Sequence, residues 1–237
     1  MNTKSRMFKE YIKYCQCRAL AVKIFDWIYE YKDNLSIPSL NQEFKYENLF
    51  WLFKCKLFVN VYFIEEKKEE QVDALYYSVF EDKEFIIEMF CYKKPNKSET
   101  KKMINTLTHE LIHLLNDAES VFEMSKYKSN FYAENRQYFS GAYDAVYYND
   151  PYELRALFFC ALNSASIYTT RLINGKKQMV IKDLDFLIKT VTKYFKNTPI
   201  SNKNLNKLKS QTYLLFEALE DIPIVRSTKY PVGWCAK

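Results

Sequence analysis

The sequence predicts an α+β fold in which helices precede and follow a small antiparallel or mixed sheet. The 237 residues are 48% apolar, which is enough to bury a substantial core. Only 3 residues are glycine, and so few glycines are typical of a largely helical chain with few special turns. Aromatic and β-branched residues that partly alternate predict strands between residues 57 and 92.

Helices are predicted at both ends of the chain. Apolar residues recur at helical spacing among lysines over residues 1–31, which predicts an amphipathic packing helix, with a helix lying on anionic lipid as the alternative. Near the C-terminus an Asn174-Gly175 turn precedes two predicted helices, at about residues 181–195 and 202–219.

Three strands are predicted, at residues 57–64, 75–80 and 84–92. The last two are joined by a tight turn at residues 81–83, so we expect a hairpin. We expect strand 84–92 to lie at the edge of the sheet, where its backbone can pair with an extended peptide. The alternative is an ordinary edge that the N-terminal segment of the chain closes.

The pattern H-E-x-x-H occupies residues 109–113 and uses both histidines of the chain. Residues four apart share one face of an α-helix, so His109 and His113 can bind the same metal ion. Glu110 lies about 100° around the helix, where it can take a proton from water at the metal. Zn²⁺ suits this pattern because it lowers the pKa of its water to about 7. The motif lies on a predicted amphipathic helix that has Ser98 or Thr100 as its N-cap and ends at about Asn116. The alternative is a chance pair of surface histidines on that helix.

A catalytic zinc site has three protein ligands and an open position. No histidine remains to be the third ligand, so it must be a carboxylate or a cysteine. Glu153 is the first choice, because Asp150 as N-cap and Pro151 as first helical residue open a second helix that can carry a carboxylate inward. The same spacing also fits a capping box, in which Glu153 would bind its own helix terminus.

Three other residues are weaker candidates for the third ligand. Glu119 follows the second histidine by six residues, as in the extended pattern H-E-x-x-H-x-x-G-x-x-H, with Asn116 in the place of the turn glycine. Asp144 is a further option. Cys91 is instead expected to be a buried residue near the end of a strand.

The two histidines, Glu110 and the later Pro-x-Glu-x-x-Ala segment that contains Glu153 resemble the gluzincin class of zincin metallopeptidases. The resemblance covers residues 107–156, about a fifth of the chain. It implies a zincin-like fold, Glu153 as the third zinc ligand, Glu110 as general base and proton shuttle, and hydrolysis of peptide bonds. Many gluzincins stabilise the oxyanion with an extra histidine, which this chain lacks. A tyrosine hydroxyl, from Tyr143 or Tyr148, or Arg155 would have to take that role.

Charge is distributed unevenly along the chain. Residues 171–237 contain 13 lysines and arginines against 5 acidic residues, whereas the whole chain has a net charge of only +6. This basic region could bind nucleic acid or an acidic partner, but scattered lysines are more typical of a solvated face. The 6 cysteines show no paired framework, and neither a signal peptide nor a transmembrane segment is evident, so we expect a cytoplasmic protein with reduced thiols.

Together these observations predict a single metallopeptidase domain, residues 1–237, that hydrolyses a protein or peptide substrate with zinc. The alternatives are a nucleic-acid-associated protease directed by the basic C-terminal region and a non-catalytic zinc-binding interaction module. Glu110 argues against the module, because a structural zinc site needs no base. The expected parts are an N-terminal helical segment (1–50), the sheet (55–93), the zinc-site helices (98–168) and C-terminal helices (176–220).

Overall fold

A computed structural model describes residues 3–31, 43–44, 56–64, 74–79, 84–123, 143–165, 168–173 and 176–220. Within these ranges the helices are α1 (Thr3–Tyr31), α2 (Lys97–Glu123), α3 (Tyr143–Asn149), α4 (Pro151–Ala165), α5 (Leu184–Tyr194) and α6 (Asn202–Glu220). The strands are β1 (Glu43–Phe44), β2 (Lys56–Ile64), β3 (Ala74–Val79), β4 (Glu84–Tyr92), β5 (Tyr168–Ile173) and β6 (Lys176–Ile181). The predicted α+β class is confirmed as a mainly helical protein with a small mixed sheet, whereas the zincin-like arrangement stays a prediction.

The chain divides into two compact units. One unit, Gln16–Tyr138, contains the larger part of α1, the strands β1 to β4 and α2. The other, Met1–Cys15 with Phe139–Lys237, contains the beginning of α1, the helices α3 to α6 and the strands β5 and β6. The single domain expected from the sequence stays a prediction.

The sheet of the first unit has the strand order β1-β2-β4-β3. β2 runs parallel to β4, β3 runs antiparallel to β4, and β1 pairs antiparallel with β2. Successive side chains of a strand point to opposite faces, so alternate residues share one face. In β2 and β4 these alternate residues are buried, and they are Leu57, Val59, Val61, Phe85, Ile87, Met89 and Cys91.

The predicted edge position of strand 84–92 is wrong. β4 has hydrogen-bonded neighbours on both sides, with Val59 of β2 opposite Ile87 and Tyr76 of β3 opposite the same residue. The earlier strand β2 occupies the side that was expected to be open, so β4 has no free edge for an extended peptide. The three strand assignments and the antiparallel β3–β4 pair are confirmed, but the turn at residues 81–83 lies outside the described residues.

α2 begins earlier and ends later than the sequence indicated. Asn96 is its N-cap, because Asn96 Oδ1 accepts hydrogen bonds from the backbone amides of Ser98 at 2.8 Å and Glu99 at 3.0 Å. Glu99 Oε2 accepts in return from the Asn96 amide at 2.7 Å, which completes a capping box. The predicted caps, Ser98 and Thr100, are therefore wrong, and the helix continues for seven residues past Asn116.

Contacts within the first unit hold α2 on two sides. α2 packs against β3 and β4. The second half of α1 also contacts it, since the Cys17 thiol donates to the Leu111 carbonyl at 3.7 Å. Arg18 Nη1 donates to Asn105 Oδ1 at 2.9 Å. Asn105 belongs to the polar arc of α2, so α1 lies over part of the arc that also carries the histidines.

In the second unit, α4 packs against the beginning of α1. The ring centroids of Tyr14 and Phe159 are 3.8 Å apart. Arg155 Nη2 lies 2.6 Å from Glu10 Oε1, and its guanidinium carbon lies 5.9 Å from the centre of the Tyr14 ring. Most of α4 after its first turn is buried: Leu154, Ala156, Phe158, Phe159, Cys160, Ala161 and Leu162.

The C-terminal helices are confirmed with small shifts, as Leu184–Tyr194 and Asn202–Glu220. The β5–β6 hairpin was not predicted, and Ile181, the last residue of β6, was expected to begin a helix. Ile173 pairs with Lys176, which leaves two residues for the loop. Asn174 and Gly175 lie outside the described residues, but an Asn-Gly pair between two strands is a strong sequence signal for a hairpin.

No described helix is both long and apolar enough to cross a membrane. Among the described cysteines, Cys15, Cys17, Cys91 and Cys160 form no disulfide.

Candidate metal centre

The two histidines of the motif lie one helical turn apart on α2, and their imidazoles converge. His109 Nε2 and His113 Nε2 are 2.9 Å apart. The ring planes are inclined by 81°, with centroids separated by 4.6 Å. Two Zn–N bonds of about 2.0–2.1 Å at a tetrahedral angle place their nitrogens about 3.3 Å apart. A small rotation of either ring would therefore allow both nitrogens to bind one ion.

The residues of the motif are more buried than residues on the polar side of an amphipathic helix usually are. His109 and Glu110 are each only 8% exposed, and His113 is half-buried. The sequence places these residues away from the apolar stripe of α2, but the contacts from α1 show that the polar arc is covered as well. His109 is thus not a surface residue, and His113 is only partly exposed. Burial keeps bulk water away from the histidines and strengthens electrostatic interactions there.

Glu153 is in the first turn of α4, where Asp150 is the N-cap as predicted. Asp150 Oδ1 accepts from the backbone amides of Tyr152 at 2.8 Å and Glu153 at 3.2 Å. A capping box would need the Glu153 carboxylate to accept from the Asp150 amide, but that amide donates to the Tyr147 carbonyl at 3.2 Å. The capping-box alternative therefore loses its main support. Glu153 is 4% exposed, so the helix carries its carboxylate inward.

His109, His113 and Glu153 form one group in which the three ligand atoms lie within 4.8 Å of one another. The group is largely buried and could bind a metal ion. Two imidazole nitrogens and one carboxylate oxygen suit zinc and several other divalent transition metals. The donor set fits the predicted one, because it contains both histidines of the motif and the carboxylate expected from the second helix.

The backbone does not support the extended pattern that would make Glu119 the third ligand. That pattern needs a turn at Asn116, whereas α2 is helical through this position to Glu123. The side chains of Glu119 and Asp144 lie outside the described part of the structure. Cys91 is fully buried in β4, and burial raises the pKa of its thiol to about 12. Cys91 is therefore the buried strand residue that the sequence predicted, protonated at neutral pH and not a metal-binding thiolate.

The candidates for stabilising an oxyanion have different surroundings. Tyr143 begins α3, but its side chain lies outside the described part of the structure. Tyr148 is half-buried, and its ring contacts the Tyr147 ring edge-on at 5.2 Å. Burial raises the pKa of Tyr194 above the usual value, and the nearby Cys160 and Tyr148 raise it further. Tyr148 is thus close to Tyr194 of α5, and its catalytic role stays a prediction.

Arg155 interacts with α1. Its guanidinium forms an ion pair with Glu10 and lies over the Tyr14 ring. Glu10 also binds Arg6, through Oε1 at 3.1 Å from Arg6 Nε. These contacts give no support to Arg155 as an oxyanion donor, and they indicate that it anchors α4.

Asn116 lies on the polar arc of α2 that also carries the histidines. It follows His109 by seven positions and His113 by three, a spacing that keeps all three on one side of a helix. Asn116 is 8% exposed, and its Nδ2 has no hydrogen-bond partner within the described part of the structure. The helical spacing is the sequence signal that places Asn116 on this face.

In the described part of the basic C-terminal region, the lysines of α5 and α6 are mostly exposed. Between residues 186 and 216 the chain has no acidic residue. The exposed lysines of this segment are Lys189, Lys193, Lys196, Lys203 and Lys207. Such exposure is what a solvated face requires, and a nucleic-acid or acidic partner stays a prediction.

A search of family models found none that matches the chain, and no curated protein or solved structure matches it either. The resemblance to gluzincins therefore rests on residues 107–156 alone. The geometry of the metal-binding group has to carry the functional argument.

Proposed function

We propose that the protein is a zinc-dependent metallopeptidase in which His109, His113 and Glu153 hold Zn²⁺. One observation carries the proposal: both histidines of the H-E-x-x-H pattern are grouped with a buried carboxylate from another helix. A chance pattern gives no reason for that third donor to be present. The proposed substrate is a protein or peptide, as the resemblance to gluzincins implies.

The number of donors supports an enzyme over a structural zinc module. A structural site is closed by four protein ligands, whereas a catalytic site has three and keeps one position open. Among the described residues, the group consists of two histidines and one glutamate. These three donors would leave one position for water or for a substrate carbonyl.

Glu110 is the proposed general base. When bound, Zn²⁺ would supply Lewis acidity that makes water more acidic and polarises a carbonyl. Glu110 follows His109 directly and does not belong to the donor group, so its carboxylate can accept the proton of the attacking water. The same carboxylate then donates this proton to the leaving amine, so that Glu110 ends each turnover in its starting form.

The first test is metal content, measured by elemental analysis of protein purified without added metal. We expect about one zinc per wild-type chain, as three protein ligands at one site require. The His109→Ala/His113→Ala variant should lose the metal, and Glu153→Ala should bind it much more weakly. Glu119→Ala is the matched control, because it removes a carboxylate from the motif helix and should bind zinc as the wild type does. Wild-type protein that takes up no zinc would overturn the proposal.

The second test separates catalysis from metal binding. Glu110→Gln keeps the size of the side chain but removes the base, so we expect it to bind zinc normally and to lose at least about 100-fold in kcat. Cleavage of a random peptide library, followed by mass spectrometry, measures this without knowledge of the substrate. If zinc-loaded wild-type protein cleaves no peptide, the non-catalytic alternative is favoured instead.

A further inference from the structure

Asn149, the last residue of α3, uses the full hydrogen-bonding capacity of its side-chain amide. Nδ2 donates to the carbonyl oxygens of Ala145 at 2.7 Å and Pro199 at 2.9 Å. Oδ1 accepts from the backbone amide of Ser201 at 2.8 Å and from Asn204 Nδ2 at 3.0 Å. A side-chain amide has two donor hydrogens and two acceptor lone pairs, so these four contacts saturate it.

Three of the four partners are about fifty residues away in sequence. Pro199, Ser201 and Asn204 lie in the connection between α5 and α6 and in the first turn of α6. That connection is itself ordered, because Ser201 Oγ accepts from the Asn204 amide at 3.3 Å and the Ser201 carbonyl accepts from the Leu205 amide at 2.9 Å. Asn149 is therefore attached to a segment with a fixed conformation.

The next residue after Asn149 is Asp150, the N-cap of the helix that carries Glu153. Asp150 binds the amides of Tyr152 and Glu153 through its side chain and the amide of Leu154 through its carbonyl, at 2.8 Å for the last. The backbone between Asn149 and Glu153 is thus fixed at each step. A displacement of Asn149 would move the carboxylate of Glu153.

The first turn of α4 depends on these polar contacts more than the rest of the helix does. From Leu154 onward, buried apolar side chains anchor the helix. Before Leu154, however, Pro151 is exposed and Tyr152 is only half-buried. Packing therefore fixes the body of α4, whereas hydrogen bonds at Asn149 and Asp150 fix the end that presents Glu153.

We propose that Asn149 is a positioning residue for the metal centre, because its attachment to the α5–α6 connection sets the position of the Glu153 carboxylate. This inference rests on the proposed function, since it takes Glu153 as a zinc ligand. Loss of a residue that orients a metal ligand typically costs about 10–100-fold in affinity. Asn149 acts through the helix terminus and not on the ligand itself, so its removal should cost about tenfold, the lower end of that range.

The test measures zinc affinity by competition with a chelator for the full chain and its variants. Asn149→Ala should bind zinc about tenfold more weakly than the wild type. Asn204→Ala removes one hydrogen-bond partner of the same amide and should weaken zinc binding less than Asn149→Ala does. In the double variant, the loss of zinc binding free energy should be smaller than the sum of the two single losses, because both substitutions act through one contact. The visible spectrum of the cobalt-substituted protein should change in Asn149→Ala, since the spectrum reports the geometry of the ligands.

Leu215→Ala controls for a general loss of stability. Leu215 is buried in α6, in the same unit as Asn149, and it lies more than two helical turns beyond Asn204. We expect this variant to have a lower Tm with unchanged zinc affinity and an unchanged cobalt spectrum. Equal weakening by Leu215→Ala and Asn149→Ala, at matched Tm, would overturn the positioning role.

The outcomes also separate this inference from the proposed function. If Glu153→Ala weakens zinc binding but Asn149→Ala does not, the metal site stands and the positioning role of Asn149 is refuted. If Glu153→Ala binds zinc as the wild type does, Glu153 is not a ligand and both proposals fall.

Discussion

At the scale of single residues, Cys91 shows how burial changes a titration. Its thiol is fully buried in the central strand β4, and burial raises its pKa from 9.0 to about 12. Burial favours the neutral thiol over the thiolate, because a charge in an apolar environment loses its hydration. As the pH rises, the thiol of the unfolded chain ionises before the thiol of the folded chain, which stabilises the unfolded state. The contribution of the buried neutral thiol to stability is therefore fully present below pH 9 and is lost between the two pKa values.

The prediction concerns stability at alkaline pH. Relative to Cys91→Ala, the wild-type free energy of unfolding should fall by up to about 1.4 kcal/mol for each pH unit above 9, until the folded-state thiol ionises as well. Urea unfolding of both proteins at a series of pH values measures the difference, and alkaline titrations that are not coupled to Cys91 cancel in the comparison. Parallel pH profiles for the two proteins would contradict the raised pKa.

At the scale of elements, the start of α2 illustrates how a helix terminus fixes the position of a motif. Asn96 and Glu99 exchange two hydrogen bonds at this terminus, and Asn96 Oδ1 accepts a third from the Ser98 amide. They satisfy backbone amides that an α-helix leaves unpaired at its N-terminus. The terminus follows β4 closely, so the cap determines where the helix leaves the sheet and, three turns later, where His109 lies.

Removal of this cap should cost stability. Asn96→Ala is expected to lower the free energy of unfolding by about 0.5–2 kcal/mol, because the amides of Ser98 and Glu99 lose their acceptor. Chemical denaturation followed by circular dichroism would measure it. Ser98→Ala is the matched control, since Ser98 is exposed and should change stability by less than about 0.5 kcal/mol. A larger loss in Ser98→Ala than in Asn96→Ala would mean that the cap is assigned to the wrong residue.

At the scale of the whole molecule, the sequence predicted those features that local patterns determine. α2 and α6 have apolar residues at helical spacing, β2 to β4 have strand composition, and Asp150 has the chemistry of a cap. The central position of β4 was not predictable in this way, because it depends on pairing with β2 across an intervening segment. No local pattern distinguishes a strand with one neighbour from a strand with two.

The residues of the candidate site were predicted by elimination, but the distances between them were not predicted. Because the chain has only two histidines, the third ligand was expected to be a carboxylate or a cysteine, and the helix start at Asp150 favoured Glu153 over Glu119 and Asp144. The distances among the three donors depend on packing that a sequence does not display. The contacts of Asn149 were invisible for the same reason, since their partners lie about fifty residues away.

The convergence of both histidines at one point makes the candidate metal centre the source of every imidazole signal of the chain. In a nitrogen-edited NMR spectrum, the side-chain resonances of His109 and His113 would have no background from other histidines. Since Nε2 of each ring points to the other, metal binding at these atoms leaves the remaining ring proton on Nδ1. Without metal, the contact between the two Nε2 atoms needs a proton on one of them, so metal binding changes the tautomer of that ring, and a metal titration can be followed by its resonances.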